Sequence, residues 1–179
     1  MAVIREAIGK RILKNKLKSF KRETHVHNFK TAKSVVILFD AQKKNAFKIV
    51  WEFRGFLKDN GINCTVYGYM NQKEVPQDML FWKDLHMITR RNLNWFMQLR
   101  GEAVELYNQE DPDILIDFNT NHRLELQFLV QLSPAKFKIG CFTEDKNDYD
   151  LMIKLSEQDD MAYLSEQVKH YVSILNPVK

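Results

Sequence analysis

The sequence predicts an α/β fold, namely a three-layer, Rossmann-like sandwich with a mostly parallel sheet of about five or six strands and a basic N-terminal helix. Two observations lead to this prediction. Continuous apolar runs such as SVVILFD (34–40) and DILIDF (113–118) are typical of strands buried on both faces of a parallel sheet. Segments with apolar residues at helical spacing lie between such runs, and this alternation is characteristic of α/β sandwiches.

The strands are predicted where β-branched and aromatic residues cluster between turn residues. The first ends on Asp40, and the fourth passes through Asp117. The predicted strands are 34–40, 64–70, 85–90, 113–118, 136–142 and 149–155.

Helical spacing predicts two long helices in the body of the chain. One starts at Ala46 and stops before Asn60-Gly61, which suits a helix C-terminus. The other spans 161–175. Between the third and fourth strands, the sequence over 92–111 predicts a turn or helical segment followed by a short helix.

The segment 124–132 fits two patterns. Leu124, Leu126, Phe128, Val130 and Leu132 alternate with other residues, as in a strand, yet a helical face is also present. We favour a helix, because a parallel strand pair needs a crossover connection between its strands.

Length and composition predict one soluble domain. The chain has 179 residues, of which 45% are hydrophobic and 28% charged. Cys64 and Cys141 lie in apolar runs and are predicted to be buried thiols in a reducing compartment. Without an apolar leader or a spanning segment, the chain is predicted to be cytoplasmic, and a peripheral membrane location is a second interpretation.

Positive charge is concentrated at the N-terminus. Residues 1–33 hold ten basic and two acidic residues, a net charge of +8, whereas 34–179 carry a net charge of −4. We therefore divide the chain into a basic leader (1–33), with a helix over about 3–21 and a linker over 23–33, and a Rossmann-like domain (34–179). A helical wheel gathers a basic ridge, the candidate contact with an anionic partner: Lys10, Arg11, Lys14, Lys18, Lys21 and Arg22.

A second candidate site follows from the predicted sheet. Ligands of such sheets bind beyond the carboxyl ends of the strands, near the point where the strand order reverses. The candidate ligand-binding residues at this edge are Asp40, Asp117, Asn119, Asn121 and Arg123. The alternative interpretation is that the aspartates cap turns or helices.

Motifs for common chemistries are missing. The six glycines form neither GxGxxG nor GxxxxGK[ST], and His25 and His27 lack further ligand-type neighbours apart from Glu23. We therefore predict no cofactor, no metal and no catalytic residue, and we favour a non-enzymatic role. Most aromatic residues are predicted to serve packing rather than stacking on nucleic acid.

Two resemblances add to these predictions. The segments LNWF (93–96), PDILIDFN (112–119), LQFLVQLSPAKFKIGCF (126–142) and YDLMI (149–153) resemble an uncharacterised family of short bacterial proteins with a domain of unknown function. The stretch ILIDFN…LSPAKFKIG is also similar to the N-terminal half of heptosyltransferase-type glycosyltransferases. That likeness implies a half-domain of their fold. The first turn, DAQKKNAF, lacks their glycine and catalytic aspartate, so no catalytic role transfers to Asp40.

We therefore expect a binding or adaptor protein whose basic leader engages RNA, a ribosomal surface, anionic lipid or an acidic protein. One alternative is a protein that binds nucleotides or nucleotide sugars, or a degenerate transferase half-domain. Another is a structural homo-oligomer held together by the apolar residues of the leader.

Overall fold

The computed structural model describes residues 2–79, 82, 84–120, 123–144, 148–156 and 160–176. Its strands are β1 (Ser34–Asp40), β2 (Asn63–Met70), β3 (Leu85–Thr89), β4 (Ile114–Asp117), β5 (Phe137–Cys141) and β6 (Leu151–Ile153). Its α-helices are α1 (Ala2–Ser19), α2 (Ala46–Asp59), α3 (Glu102–Gln109), α4 (Leu124–Gln131) and α5 (Met161–Ile174). The strands form one parallel sheet in the order β3-β2-β1-β4-β5-β6, which confirms the predicted fold class.

The centre of the sheet is β1, which pairs with β2 on one side and β4 on the other. Its side chains alternate between two cores. Val35, Ile37 and Phe39 pack with residues of α2 and α5, and Val36 and Leu38 pack with residues of α3 and α4. Both faces are therefore covered, which explains why β1 is apolar at successive positions.

The ambiguous segment 124–132 forms the helix α4, as predicted. Leu126, Leu129 and Val130 pack toward the sheet, whereas Leu124 and Phe128 pack on α1. A helix buried on two sides is apolar around most of its circumference. This burial is the reason that its sequence also fits a strand.

The helix α1 packs on the body of the molecule. Leu13 is 4% exposed and forms a small core with Leu124 and Phe128 of α4. At Gly9 the approach is especially close, because an added Cβ would lie 3.0 Å from the carbonyl oxygen of Phe96. Among the apolar residues of the leader, Leu13 makes this contact, whereas Ile4 is exposed.

Several residues of the segment 23–33, which the sequence analysis describes as a linker, belong to the core. Phe29 is 6% exposed, and its ring packs edge-on against Phe56 at 5.1 Å between centroids. The side-chain amide of Asn28 donates to the carbonyl of Leu175 at 2.8 Å. The leader is thus joined to the body along much of its length.

A polar cluster around Asp113 fixes the end of the leader. Oδ2 of Asp113 accepts a hydrogen bond from the backbone N–H of Lys33 at 2.7 Å, and Oδ1 accepts one from Nζ of Lys136 at 2.8 Å. Nε2 of His27 lies 3.8 Å from the same Oδ1, and its Nδ1 lies 3.3 Å from the hydroxyl of Thr31. Burial, only partly offset by Asp113, lowers the pKa of His27 below its usual 6.5.

Within the described residues, none of the helices has the length and apolar character needed to cross a bilayer.

Two glycines inside helices provide a matched test of the α1 contact. At Gly55 of α2 an added Cβ meets no atom within 4 Å, so Gly55→Ala should stabilise the protein by about 0.5 to 1 kcal/mol through helix propensity. At Gly9 the same gain is opposed by the backbone of Phe96 and by Cβ of Met97 at 3.1 Å. We expect Gly9→Ala to lower the free energy of unfolding in urea titrations. A gain equal to that of Gly55→Ala would contradict the close approach.

The lowered pKa of His27 predicts a loss of stability in mild acid. The unfolded chain takes up the proton more readily than the folded chain, so the free energy of unfolding falls as the pH drops through 6.5. In urea titrations at pH 7.5 and 5.5, His27→Gln should lose less stability than the parent protein. His170→Gln, at an exposed position of α5, is the control for removal of an imidazole. Equal losses of unfolding free energy in the parent protein and in His27→Gln would show that protonation of His27 does not destabilise the fold.

Candidate functional site

The predicted carboxyl edge of the sheet exists, and two of its aspartates lie there. Asp40 ends β1 and Asp117 ends β4, the strands between which the strand order reverses. Both side chains are buried, as is that of Asn119. Asn121 lies outside the described residues.

Asp117 is held by hydrogen bonds from its own neighbourhood. Its Oδ1 accepts from the backbone N–H of Asn119 at 2.9 Å and from the Nδ2 of the same residue. Its Oδ2 accepts from the hydroxyl of Tyr149 at 2.7 Å. Burial, followed by the charge of Asp117, raises the pKa of Tyr149 above its ordinary value. The phenol therefore stays protonated and remains a donor at neutral pH.

Tyr149 reaches Asp117 by crossing β5 at Gly140. A Cβ at this glycine would overlap the ring carbons of Tyr149. The glycine of KFKIG thus makes room for a side chain that lies before β6. The sequence shows the glycine and the tyrosine, but their contact depends on the strand order.

Asp40 serves the turn after β1. Its Oδ1 accepts a hydrogen bond from the backbone N–H of Gln42 at 3.0 Å. In turn, Oε1 of Gln42 accepts from the backbone N–H of Asn71, just after β2, at 2.9 Å. This geometry corresponds to the turn-capping interpretation of Asp40.

Arg123 is engaged with two residues that the sequence analysis did not select. Its Nη1 lies 3.7 Å from Oε1 of Glu125, and its guanidinium lies 5.7 Å from the ring centre of Tyr69. The hydroxyl of Tyr69 donates to the same Oε1 at 2.9 Å. The positive charge of Arg123 is thus partly balanced by a buried carboxylate.

One cavity formed by described residues at this edge is small. A cavity lined by Asp117, Arg123, Asp148 and Tyr149 has a volume of about 10 Å³, the space of a single water. Pockets for small organic ligands usually measure ~300–1,000 Å³. Oδ1 of Asn119 is buried and has no hydrogen-bond partner among the residues that the structure describes. Nucleotide binding at these residues stays a prediction, and this cavity does not favour it.

A larger cavity, of about 320 Å³, lies at the N-terminal end of β2, away from the carboxyl edge, and is lined in part by Cys64. Burial raises the pKa of the Cys64 thiol to about 12, so it is protonated and unreactive at neutral pH. Arg54, also in this lining, is paired with Asp84. In the described part of the chain, no three His, Cys, Asp or Glu side chains are placed to hold a metal ion.

The structure separates the six predicted basic residues into two groups. Arg22 is an anchor, because its Nη2 lies 2.6 Å from Asp150 and its Nη1 donates to the carbonyls of Ala135 and Lys136 at 3.0 and 3.2 Å. The other five side chains are exposed and form what we call the basic face of α1: Lys10, Arg11, Lys14, Lys18 and, just beyond the helix, Lys21. Lys10 also pairs with Glu6 at 2.7 Å.

A buried lysine lies beneath the leader. Nζ of Lys138 donates to the carbonyls of Val130 and Gln131 at 2.7 and 3.3 Å and lies 5.8 Å from the ring centre of Phe20. Burial, followed by the charge of Arg22, lowers its pKa to about 8. These carbonyls end α4, so Lys138 serves as a helix C-terminal partner. The sequence pattern of β5 did not reveal it.

Trp95 and Phe96 are among the aromatic residues that depart from the packing role predicted for most of them. They are 52% and 43% exposed. No sequence motif links these two residues to the basic residues of the leader. Residues 94–97 come to lie beside Arg5 and Gly9 only when the chain folds.

The parallel strand order and its switch point between β1 and β4 define a Rossmann-like α/β domain. The chain belongs to a family of unknown function, DUF6913, whose family model matches residues 5–175. This confirms the predicted membership of an uncharacterised family, and the match includes most of α1. No curated protein matches the chain. The likeness to heptosyltransferase-type glycosyltransferases stays a prediction.

The bond from Tyr149 to Asp117 predicts a measurable cost when it is removed. Tyr149→Phe keeps the ring against Gly140 but leaves the buried carboxylate one donor short. We expect a loss of about 1 to 3 kcal/mol in the free energy of unfolding, measured by urea titration. Tyr163→Phe, at an exposed position of α5, should change stability by less than about 0.5 kcal/mol. A matching small effect for both would show that the bond contributes little.

Proposed function

We propose that this protein is a non-enzymatic binding protein that holds the phosphate backbone of a nucleic acid on the basic face of α1. The observation that carries the proposal is the exposure of five basic side chains on a helix whose opposite side is packed on the body. A docked helix presents these charges in a fixed arrangement. Binding then costs less conformational entropy than ordering a free arm.

The spacing of the charges suits a polymer of phosphates. Lys10, Lys14 and Lys18 follow one another at four-residue intervals, so their Cα atoms are about 6 Å apart along the helix axis. A series of evenly spaced cations can contact successive phosphates of one strand and release their counterions.

Other anionic partners fit this surface less well. A helix that lies on a membrane buries a broad apolar face in the lipid, but Leu13 already faces α4 here. An acidic protein partner would be expected to add an apolar hot spot between the charges. The exposed hydrophobic residues Ile4 and Trp95 lie instead by the beginning of the helix, Trp95 through its contact with Arg5. The same packing uses Leu13 within the chain, which also weakens the interpretation as a leader-mediated oligomer.

The experiment removes charge and leaves the packing of α1 intact. Deletion of 1–33 would remove Leu13 and Phe29 from the cores, so substitution is the better test. Binding of the parent protein to a single-stranded oligonucleotide should show a log–log salt slope of about −3.5, from five phosphate contacts at ~0.7 each. Replacing four basic-face residues by Gln should reduce the slope by about 3 and weaken binding: Arg11, Lys14, Lys18 and Lys21.

The matched control removes four exposed lysines elsewhere: Lys30, Lys48, Lys58 and Lys73. Both variants lose the same net charge, so only the position of the charge differs. The proposal requires that the control retain most of the affinity and the slope. Equal losses in the two variants, or a parent protein that binds no oligonucleotide at low salt, would refute it.

A further inference from the structure

Residues 93–99 form a tight loop with a defined shape. An isolated β-bridge joins Leu93 to Leu99, and the backbone N–H of Asn94 donates to the carbonyl of Gln98 at 2.9 Å. Oδ1 of Asn94 accepts from the backbone N–H groups of Phe96 and Gln98 at 2.9 and 3.0 Å. Met97 adopts a left-handed conformation with φ of 62°. The backbone at the tip is thus fixed by several hydrogen bonds.

The tip of this loop carries Trp95 and Phe96, whose exposure is unusual for such large apolar side chains. Their rings meet edge to face, with 5.3 Å between centroids. A turn tip normally carries small or polar residues, so an exposed aromatic pair marks an interaction site.

The loop is attached to the helix that carries the basic face. Nε of Arg5 in α1 donates to the carbonyl of Trp95 at 2.9 Å, and its guanidinium lies 5.9 Å from the ring centre of Trp95. Gly9 lets the helix approach the carbonyl of Phe96 and the side chain of Met97. The aromatic tip and the basic face therefore belong to one rigid unit.

We propose that the loop tip is a stacking platform for an unpaired base, so that the ligand of this surface is a single-stranded nucleic acid. This inference rests on the proposed function, because the phosphates of the same strand would follow the basic face. Aromatic side chains beside a groove or ridge of positive charge are the usual elements of single-strand binding. A duplex keeps its base faces stacked internally and offers Trp95 no equivalent partner. Arg5 adds positive charge beside the ring, where a base and its phosphate would both lie.

The test separates stacking from charge. The affinities for two strands of 12 units are compared. One is an oligonucleotide with all its bases, and the other is made of abasic phosphodiester units with the same charge. The parent protein should bind the strand with bases more tightly by about 5- to 150-fold, the effect of one stacked base. Quenching of tryptophan fluorescence should accompany binding of that strand only.

Trp95→Leu should abolish the preference for bases and the quenching, while the salt slope stays that of the parent protein. Because Trp95 is exposed, this change removes no core side chain, and thermal unfolding checks that the fold is retained. Tyr163→Leu removes a similarly exposed aromatic residue from α5 and should leave the preference intact.

Each result decides between the two proposals. Equal affinity for both strands, with binding that still depends on the basic face, would overturn the stacking site and leave the proposed function standing. An unchanged preference in Trp95→Leu would do the same. Failure of the parent protein to bind either strand would overturn both. Vesicles of anionic phospholipid provide a last comparison, and binding to vesicles without binding to the strand with bases would also overturn the stacking site.

Discussion

The close packing of α1 on α4 is the constraint on which much of the molecule depends. At Gly9 the helix lies so near the loop 94–97 that a single added carbon would crowd its backbone. This approach brings Leu13 onto Leu124 and Phe128 and makes α4 a buried helix. It also turns the charged side of α1 outward. The packing of the leader and the exposure of its basic face are therefore two results of one contact.

Several parts of the fold could be predicted because their signal is local. A strand such as β1, buried on both sides, is continuously apolar, and Asp40 and Asp117 mark its end and that of β4. The helix α4 was assigned from topology, since its own pattern was ambiguous. The role of Gly9 could not be predicted in this way, because helix propensity alone makes a glycine a weak point. Its benefit depends on residues about ninety to a hundred and fifteen positions away in sequence.

At the carboxyl edge of the sheet, too, some features could be predicted from the sequence and others could not. Sequence reasoning placed Asp40 and Asp117 at one edge, and the sheet confirms that placement. It did not reveal that Tyr149 satisfies Asp117, because that bond requires β5 between them and a glycine at position 140. Buried carboxylates need hydrogen-bond donors, and here the chain supplies several itself. An edge whose aspartates already have partners has less need of a ligand than its position in the fold suggests.

Charge decides where a polyanion can lie on this protein. The leader carries +8 and the rest of the chain −4, so a strand of phosphates is attracted to α1 and repelled by the body as a whole. A duplex, which is stiff over ~150 base pairs, contacts a single helix such as α1 over a short length only. In the binding mode proposed above, a single strand bends along the helix and places one base on Trp95. The separation of charge within the chain therefore favours the same partner as the exposed aromatic tip, and the two arguments rest on different residues.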